Sequence, residues 1–283
     1  MGHGKSSLID GHRAYIEDFA QCRQDILDHI SDEKKLIRDF YAVDLPLFTV
    51  AHSMGGMIMI RLALDHPELF TAMVLDGPLI YFGNSQMLKY LPMKPIMSHF
   101  NQALGFIRDS FLNPLCQKYI WTSLVDRLRF AEVGSTSVEN ITNDMTIQKL
   151  LKEDHLRHFG GAYVGMLTKF VEEITYNARH MAEGMKPPFC ILFGQEDALC
   201  NIRGAWEMFL TCQRVSAEDK LLVEFEHAAH QLYLEIPQIR QKAMKDTLDF
   251  IQSRTNQDSK GIFFQPKHYA LNLGEKQPKE IDD

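Results

Sequence analysis

The sequence predicts an α/β fold built around a mainly parallel sheet, and three observations carry this. Short apolar runs closed by turn residues recur at positions 47–52, 72–76, 189–193 and 221–225. Segments of helical periodicity separate them, so crossovers join successive strands. Three polar residues of useful chemistry, Ser53, Asp197 and His230, stand just past the ends of three of these runs. In parallel sheets, ligands bind at the carboxyl ends of the strands.

The elements follow in order. Residues 12–30 carry Tyr15, Ile16, Phe19, Ile26, Leu27 and Ile30 at helical spacing with acids between them, which predicts an amphipathic helix. The run Leu47-Phe48-Thr49-Val50-Ala51-His52 reads as a buried strand that turns sharply at Ser53. A helix over 56–64 follows, apolar nearly all round, and ends near His66-Pro67. A serine at such an apex has the form of a nucleophile elbow, in which a strained turn lifts the hydroxyl clear of the strand. The crowding needs small residues two before and two after, here Ala51 and Gly55, and Gly56 adds room for close helix packing. Residues 72–78 form another short buried strand closed by Asp76-Gly77-Pro78.

From Leu79 to about Met185 the texture changes. Met, Phe and Leu are frequent, strand signals are absent, and Pro187-Pro188 closes the region. Strand character resumes at Phe189 and ends in Gly194-Gln195-Glu196-Asp197. A helix over 202–210, a strand over 221–225 and a closing helix over 239–251 complete the pattern. Beyond Ser253 the chain reads as a polar, loosely held tail. The expected divisions are 1–78 and 186–254 for the two parts of the α/β core, 79–185 for an insert between core strands, and 255–283 for the tail.

The bulk numbers narrow the function. A chain of 283 residues with 45% hydrophobic and 24% charged residues is ordinary for a globular protein. A net charge of −7 argues against nucleic acid as a partner, since phosphate backbones want a basic surface. No apolar run approaches the roughly 20 residues that span a bilayer, and the opening residues contain no signal-peptide stretch. Cys22, Cys116, Cys190, Cys200 and Cys212 are scattered and odd in number, which reads as reduced thiols in a cytoplasmic chain without structural zinc. The sequon Asn140-Ile141-Thr142 is then idle.

A serine hydroxyl is a weak nucleophile until a base takes its proton. Histidine suits that work, and a carboxylate behind it fixes the tautomer. The chain order Ser53, Asp197, His230 suits such a relay. Glu196 rivals Asp197, and His227 rivals His230. His52 is a poor base, because strand neighbours point to opposite faces. Gly2-His3-Gly4-Lys5-Ser6 lacks the preceding glycine and strand of a phosphate loop. His155 and His158 lack a third ligand at sensible spacing, so no metal and no cofactor is expected.

The segments Gly2-His3-Gly4-Lys5-Ser6, Ala51-His52-Ser53-Met54-Gly55-Gly56, Phe193-Gly194-Gln195-Glu196-Asp197 and Ala228-Ala229-His230-Gln231-Leu232-Tyr233-Leu234-Glu235 resemble the lysophospholipase and monoacylglycerol-lipase-like branch of the α/β-hydrolase superfamily. The resemblance covers about residues 2–252. It implies Ser53 as nucleophile, Asp197 as acid, His230 as base, the Met54 amide as oxyanion donor, and a helical cap over 79–185. It also implies a small lipid ester as substrate, either a lysophospholipid or a monoacylglycerol. Contact with a membrane surface follows only from those substrates, as no basic amphipathic anchor is present. The chain departs from the family in one respect. The strands that precede the Gly-x-Gly-x-Ser turn, and the His-Gly loop that gives a second oxyanion donor, are absent. An N-terminally truncated sheet with an open strand edge is therefore expected. The rival expectation is a catalytically impaired relative that binds lipid or protein.

Overall fold

The computed structural model describes residues 2–83, 128–133, 136–158 and 160–258. The Met-rich stretch over 84–127 with Cys116, and the tail from 259, lie outside the described residues.

Four parallel strands form the central sheet: β1 (Phe48–His52), β2 (Ala72–Asp76), β5 (Phe189–Gly194) and β6 (Lys220–Phe225), in the spatial order β1-β2-β5-β6. The register places His52 beside Asp76, Asp76 beside Leu192, and Gly194 beside Phe225. All residues of β2 and β5 are buried. Such continuous apolar strands require helices on both faces.

One face carries α1 (Phe19–Tyr41), α2 (Met54–Asp65), α4 (Val164–Gly184) and α5 (Ile202–Thr211), which enclose Met57, Ile60, Met73, Leu75, Ile191 and Phe193. The other carries α6 (Pro237–Asp258), which covers Val74, Cys190, Leu192 and Phe225. Burying six such side chains contributes roughly 1.5–3 kcal/mol each before chain entropy is charged against it. A buried ion cluster joins the first layer: Glu173 of α4 meets Arg23 of α1 at 2.6 Å and Arg61 of α2 at 3.6 Å. Among the described residues no helix is long and apolar enough to cross a membrane.

Three features differ from the sequence reading. The first helix spans Phe19–Tyr41 rather than 12–30. Asp18 caps it by accepting from the Ala20 amide at 2.7 Å, while Tyr15 and Ile16 are buried from an irregular segment ahead of it. Its second half exposes Leu36, Phe40 and Tyr41, so the apolar period that marks a helix fades there. The insert holds short antiparallel strands, β3 (Glu132–Val133) and β4 (Ala162–Tyr163), where none was expected. Two residues are too few to show an alternation. It also holds helix α3 (Met145–Glu153), capped by Asp144. The closing helix continues to Asp258, past the expected start of the tail. Arg254 anchors these last turns by stacking over the Phe250 ring at 3.6 Å and reaching Asp219 at 3.3 Å.

The β1 edge of the sheet is unpaired among the described residues, and Val50 on it is 51% exposed.

Candidate active site

Ser53 joins β1 to α2 with φ 52 and ψ −118, a region that residues with a side chain rarely adopt. Backbone hydrogen bonds hold it there. Its amide donates to Asp76 O at 3.0 Å, and its carbonyl accepts from Met57 N at 3.2 Å and Leu79 N at 3.0 Å. The small residue that the turn needs is Gly56, where a Cβ would lie 2.8 Å from Pro78 Cβ. At Gly55 a Cβ would meet nothing within 4 Å, so the expected crowding two residues after the serine is absent. Met54 supplies the first amide of α2, one of those with no intrahelical acceptor, at the positive end of the helix dipole.

Asp197 and His230 come together. His230 is buried, and its Nδ1 lies 2.7 Å from Asp197 Oδ2. The other carboxylate oxygen accepts from the amides of Leu199 at 2.8 Å and Cys200 at 2.9 Å, which fixes the side chain. With Nδ1 donating to Asp197, Nε2 is left as an acceptor. Gly77 packs beneath this pair, since a Cβ there would lie 2.8 Å from His230 O and 3.2 Å from its Nδ1. The rivals form an ion pair of their own: His227 and Glu196 meet at 3.2 Å with their side chains mostly in solvent.

Three neighbours escaped the sequence reading. The His52 ring lies 4.5 Å from the His230 ring instead of facing away from the site. Strand alternation stops being a guide there because the chain turns at the next residue. His52 Nδ1 is 3.0 Å from both the main-chain oxygen and Oδ2 of fully buried Asp76. Asp76 Oδ1 meets no donor among the described residues. Cys200 is buried with its thiol against the Ser53 hydroxyl. Burial pushes that thiol well above its ordinary pKa, the Asp197 carboxylate adds to the rise, and the Ser53 hydroxyl opposes it. Cys200 is thus a neutral dipole at neutral pH, not a thiolate. Among the described residues no direct hydrogen bond joins Ser53 to His230. Catalytic hydrogen bonds are often long before substrate binds.

Asp197, Cys200 and His230 place potential metal-ligand atoms within 4.8 Å of one another. A cation there would have to break the Asp197–His230 bond and deprotonate a thiol that burial keeps neutral.

The His230 turn is tied to the insert by Glu235. This buried carboxylate accepts from Ala229 N at 2.8 Å and Asn143 N at 3.0 Å with one oxygen, and from Ile236 N at 3.0 Å with the other. Glu235→Gln would turn its amide NH2, itself a donor, toward one of these donors. It is expected to cost about 2 kcal/mol and so to lower the melting temperature by roughly 5 °C. An unchanged thermal transition would remove Glu235 from this role.

Ser53 and Met54 open into a cavity of about 400 Å³ with Leu79, Phe82, Met166 and Phe170 on its apolar side.

The model of the Hydrolase_4 family, described as serine aminopeptidase, S33, matches residues 1–237. Monoglyceride lipase of Mus musculus is 26% identical over 256 residues, covering 90% of this chain and 71% of that protein. The monoglyceride lipase homolog of Monkeypox virus is 26% identical over 254 residues, covering 90% of this chain and 77% of that protein. Among solved structures, a soluble variant of monoglyceride lipase from Saccharomyces cerevisiae superposes with a TM-score of 0.63 at 19% identity, covering 89% of this chain and 75% of that one. The monoacylglycerol lipase of Paleococcus ferrophilus superposes with a TM-score of 0.61 at 18% identity, covering 89% and 80%. These likenesses show the α/β-hydrolase fold.

Proposed function

The chain belongs to the Hydrolase_4 family of α/β-hydrolases and is monoacylglycerol-lipase-like, and on that premise we propose that it cleaves carboxylic esters of monoacylated lipids through an acyl-enzyme. The observation that carries the reading is the buried Asp197–His230 bond beside a strained serine in an apolar cavity. Ser53 Oγ attacks the ester carbonyl as His230 Nε2 takes its proton. The Met54 amide donates to the oxyanion. His230 then protonates the leaving alcohol, the ester C–O bond breaks, and the acyl group stays on Ser53. Water, deprotonated by His230, releases the fatty acid. Asp197 holds the tautomer and stabilises the imidazolium. No cofactor enters. Phe82, Met166 and Phe170, from the described part of the insert, shelter the acyl chain.

A second reading, a lipid- or protein-binding relative with impaired chemistry, draws support from the hydroxyl of Ser53 lying against Cys200 and from the β1 edge, which is unpaired among the described residues. Labelling the purified chain with a fluorophosphonate probe and mapping the adduct by mass spectrometry separates the two. The expected result is one adduct, on the peptide containing Ser53. A folded chain that takes no label, or takes it elsewhere, overturns the hydrolase reading.

A further inference from the structure

The Asp197–His230 bond fixes one atom of an imidazole and leaves its plane free. The χ2 torsion of histidine is soft, so a ring held only at Nδ1 can still pivot. The main chain of Gly77 comes close beneath Nδ1. Against His230 lies the His52 ring, 4.5 Å away between centroids and tilted by 53°, the one ring packed on it among the described residues. His52 is itself held. Its Nδ1 lies 3.0 Å from two oxygens of Asp76, whose side chain is fully buried at the end of β2 while that of His52 is 27% exposed. Since Asp76 Oδ1 meets no donor, His52 supplies the one donor to this carboxylate among the described residues. A buried carboxylate answered by a single hydrogen bond is costly, and an amide or an apolar side chain would end the strand at lower cost. The main-chain oxygen of Asp76 also accepts the Ser53 amide at 3.0 Å. One residue of the sheet thus fixes both the elbow and the ring that stands against His230.

We propose that His52, held by Asp76, is a positioning residue whose ring sets the plane of the His230 imidazole, so that Nε2 stays turned to the Ser53 hydroxyl. Its kinetic consequence rests on the ester hydrolysis proposed above. In that reaction Nε2 serves the oxygens of serine, leaving alcohol and water in turn, and a ring free to pivot loses its aim between them. Misplacing a reacting group by about 1 Å costs on the order of 10²-fold in rate. His52 touches no reacting atom in this account and acts through His230 alone.

The variant to make in the whole chain is His52→Asn, whose amide keeps an N–H for Asp76 and removes only the ring. His52→Gln gives the same reading if that variant does not fold. On a chromogenic ester kcat is expected to fall about 10–100-fold, with KM within about twofold of the parent. In an Asp197→Asn background the same substitution should cost less than about threefold, because the imidazole is already misplaced. His52→Phe restores a ring and should return part of kcat. Ile60→Val, which removes a buried methyl group from α2, should lower the melting temperature and leave kcat unchanged. The ring nitrogens of His230 give a reading that needs no turnover. They are observed by NMR in a chain carrying isotope-labelled histidine and assigned by their loss in His230→Gln. In the parent one tautomer is expected, with Nδ1 protonated and Nε2 bare, and in His52→Asn an average of the two. A kcat loss below about threefold, an equal loss with and without the Asp197 carboxylate, or nitrogens that do not move overturns the proposal and leaves the hydrolase reading intact. A folded parent that turns over no ester overturns the hydrolase reading instead, and the nitrogens alone then decide whether His52 positions His230.

Discussion

Ser53→Ala is expected to lower ester turnover by roughly 10⁶-fold, since removing the nucleophile of such a relay costs about as much as removing all its members. The residual rate would come from substrate binding and the Met54 amide. Asp197→Asn should cost about 10⁴-fold, because an amide in that place favours the wrong tautomer at His230. The carboxylate is held by two amides and turned onto Nδ1, so its loss acts through the imidazole alone. The double variant should lose little beyond Ser53→Ala, as members of one relay do not act additively. Glu196→Gln and His227→Gln break only a solvent-exposed pair, so their turnover should stay within about twofold of the parent. Kinetics on a chromogenic ester, with circular dichroism to establish folding, decide this. Ser53→Ala turnover within tenfold of the parent would end the acyl-enzyme proposal.

The largest effect on stability is expected at Gly194. It ends β5, and a Cβ there would lie 2.1 Å from Ala229 O and 2.4 Å from Ala228 O. Both obstacles are main chain, so no side chain can swing aside. The same turn is pinned to β5 by Glu196 N donating to Ala228 O at 2.9 Å, and by Gln195 N donating to Phe225 O at 3.0 Å. Gly194→Ala must push the His230 turn off the sheet, at a cost of about 3 kcal/mol or more. For a domain of this size that lowers the melting temperature by roughly 10 °C. Displacing His230 by about 1 Å would also cost on the order of 10²-fold in rate. Gly55→Ala is the matched control: its Cβ enters open space within a helix, and it should melt at or slightly above the parent temperature. A Gly194→Ala chain melting within 2–3 °C of the parent (about 1 kcal/mol) would refute the clash.

The four sheet strands were legible because each is a short apolar run with turn residues behind it. The juxtaposition of Asp197 with His230 was legible for a related reason: parallel strands gather their carboxyl ends along one edge, whatever their separation in sequence. Other features lay outside what a linear pattern carries. Tyr15 and Ile16 are buried without being helical, so apolar spacing alone placed the first helix too early. Asp76 read as a turn acid, and its contact with His52 depends on parallel register between two strands. Cys200 read as a reduced thiol, but its place against Ser53 depends on the loop that Asp197 caps. Arg13 and Arg157 lie far apart in the chain, and only folding makes them walls of one cavity.

The backbone angles of Ser53 carry an energetic consequence. A residue with a Cβ at φ 52 and ψ −118 costs on the order of 1–3 kcal/mol, out of a total stability of about 5–15 kcal/mol for a typical domain. Glycine would relieve that strain, and glycine has no hydroxyl. The fold therefore gives up part of a narrow margin at the position from which the proposed attack departs. Selection for folding alone would drift toward glycine there, so the serine marks a trade of robustness for reactivity.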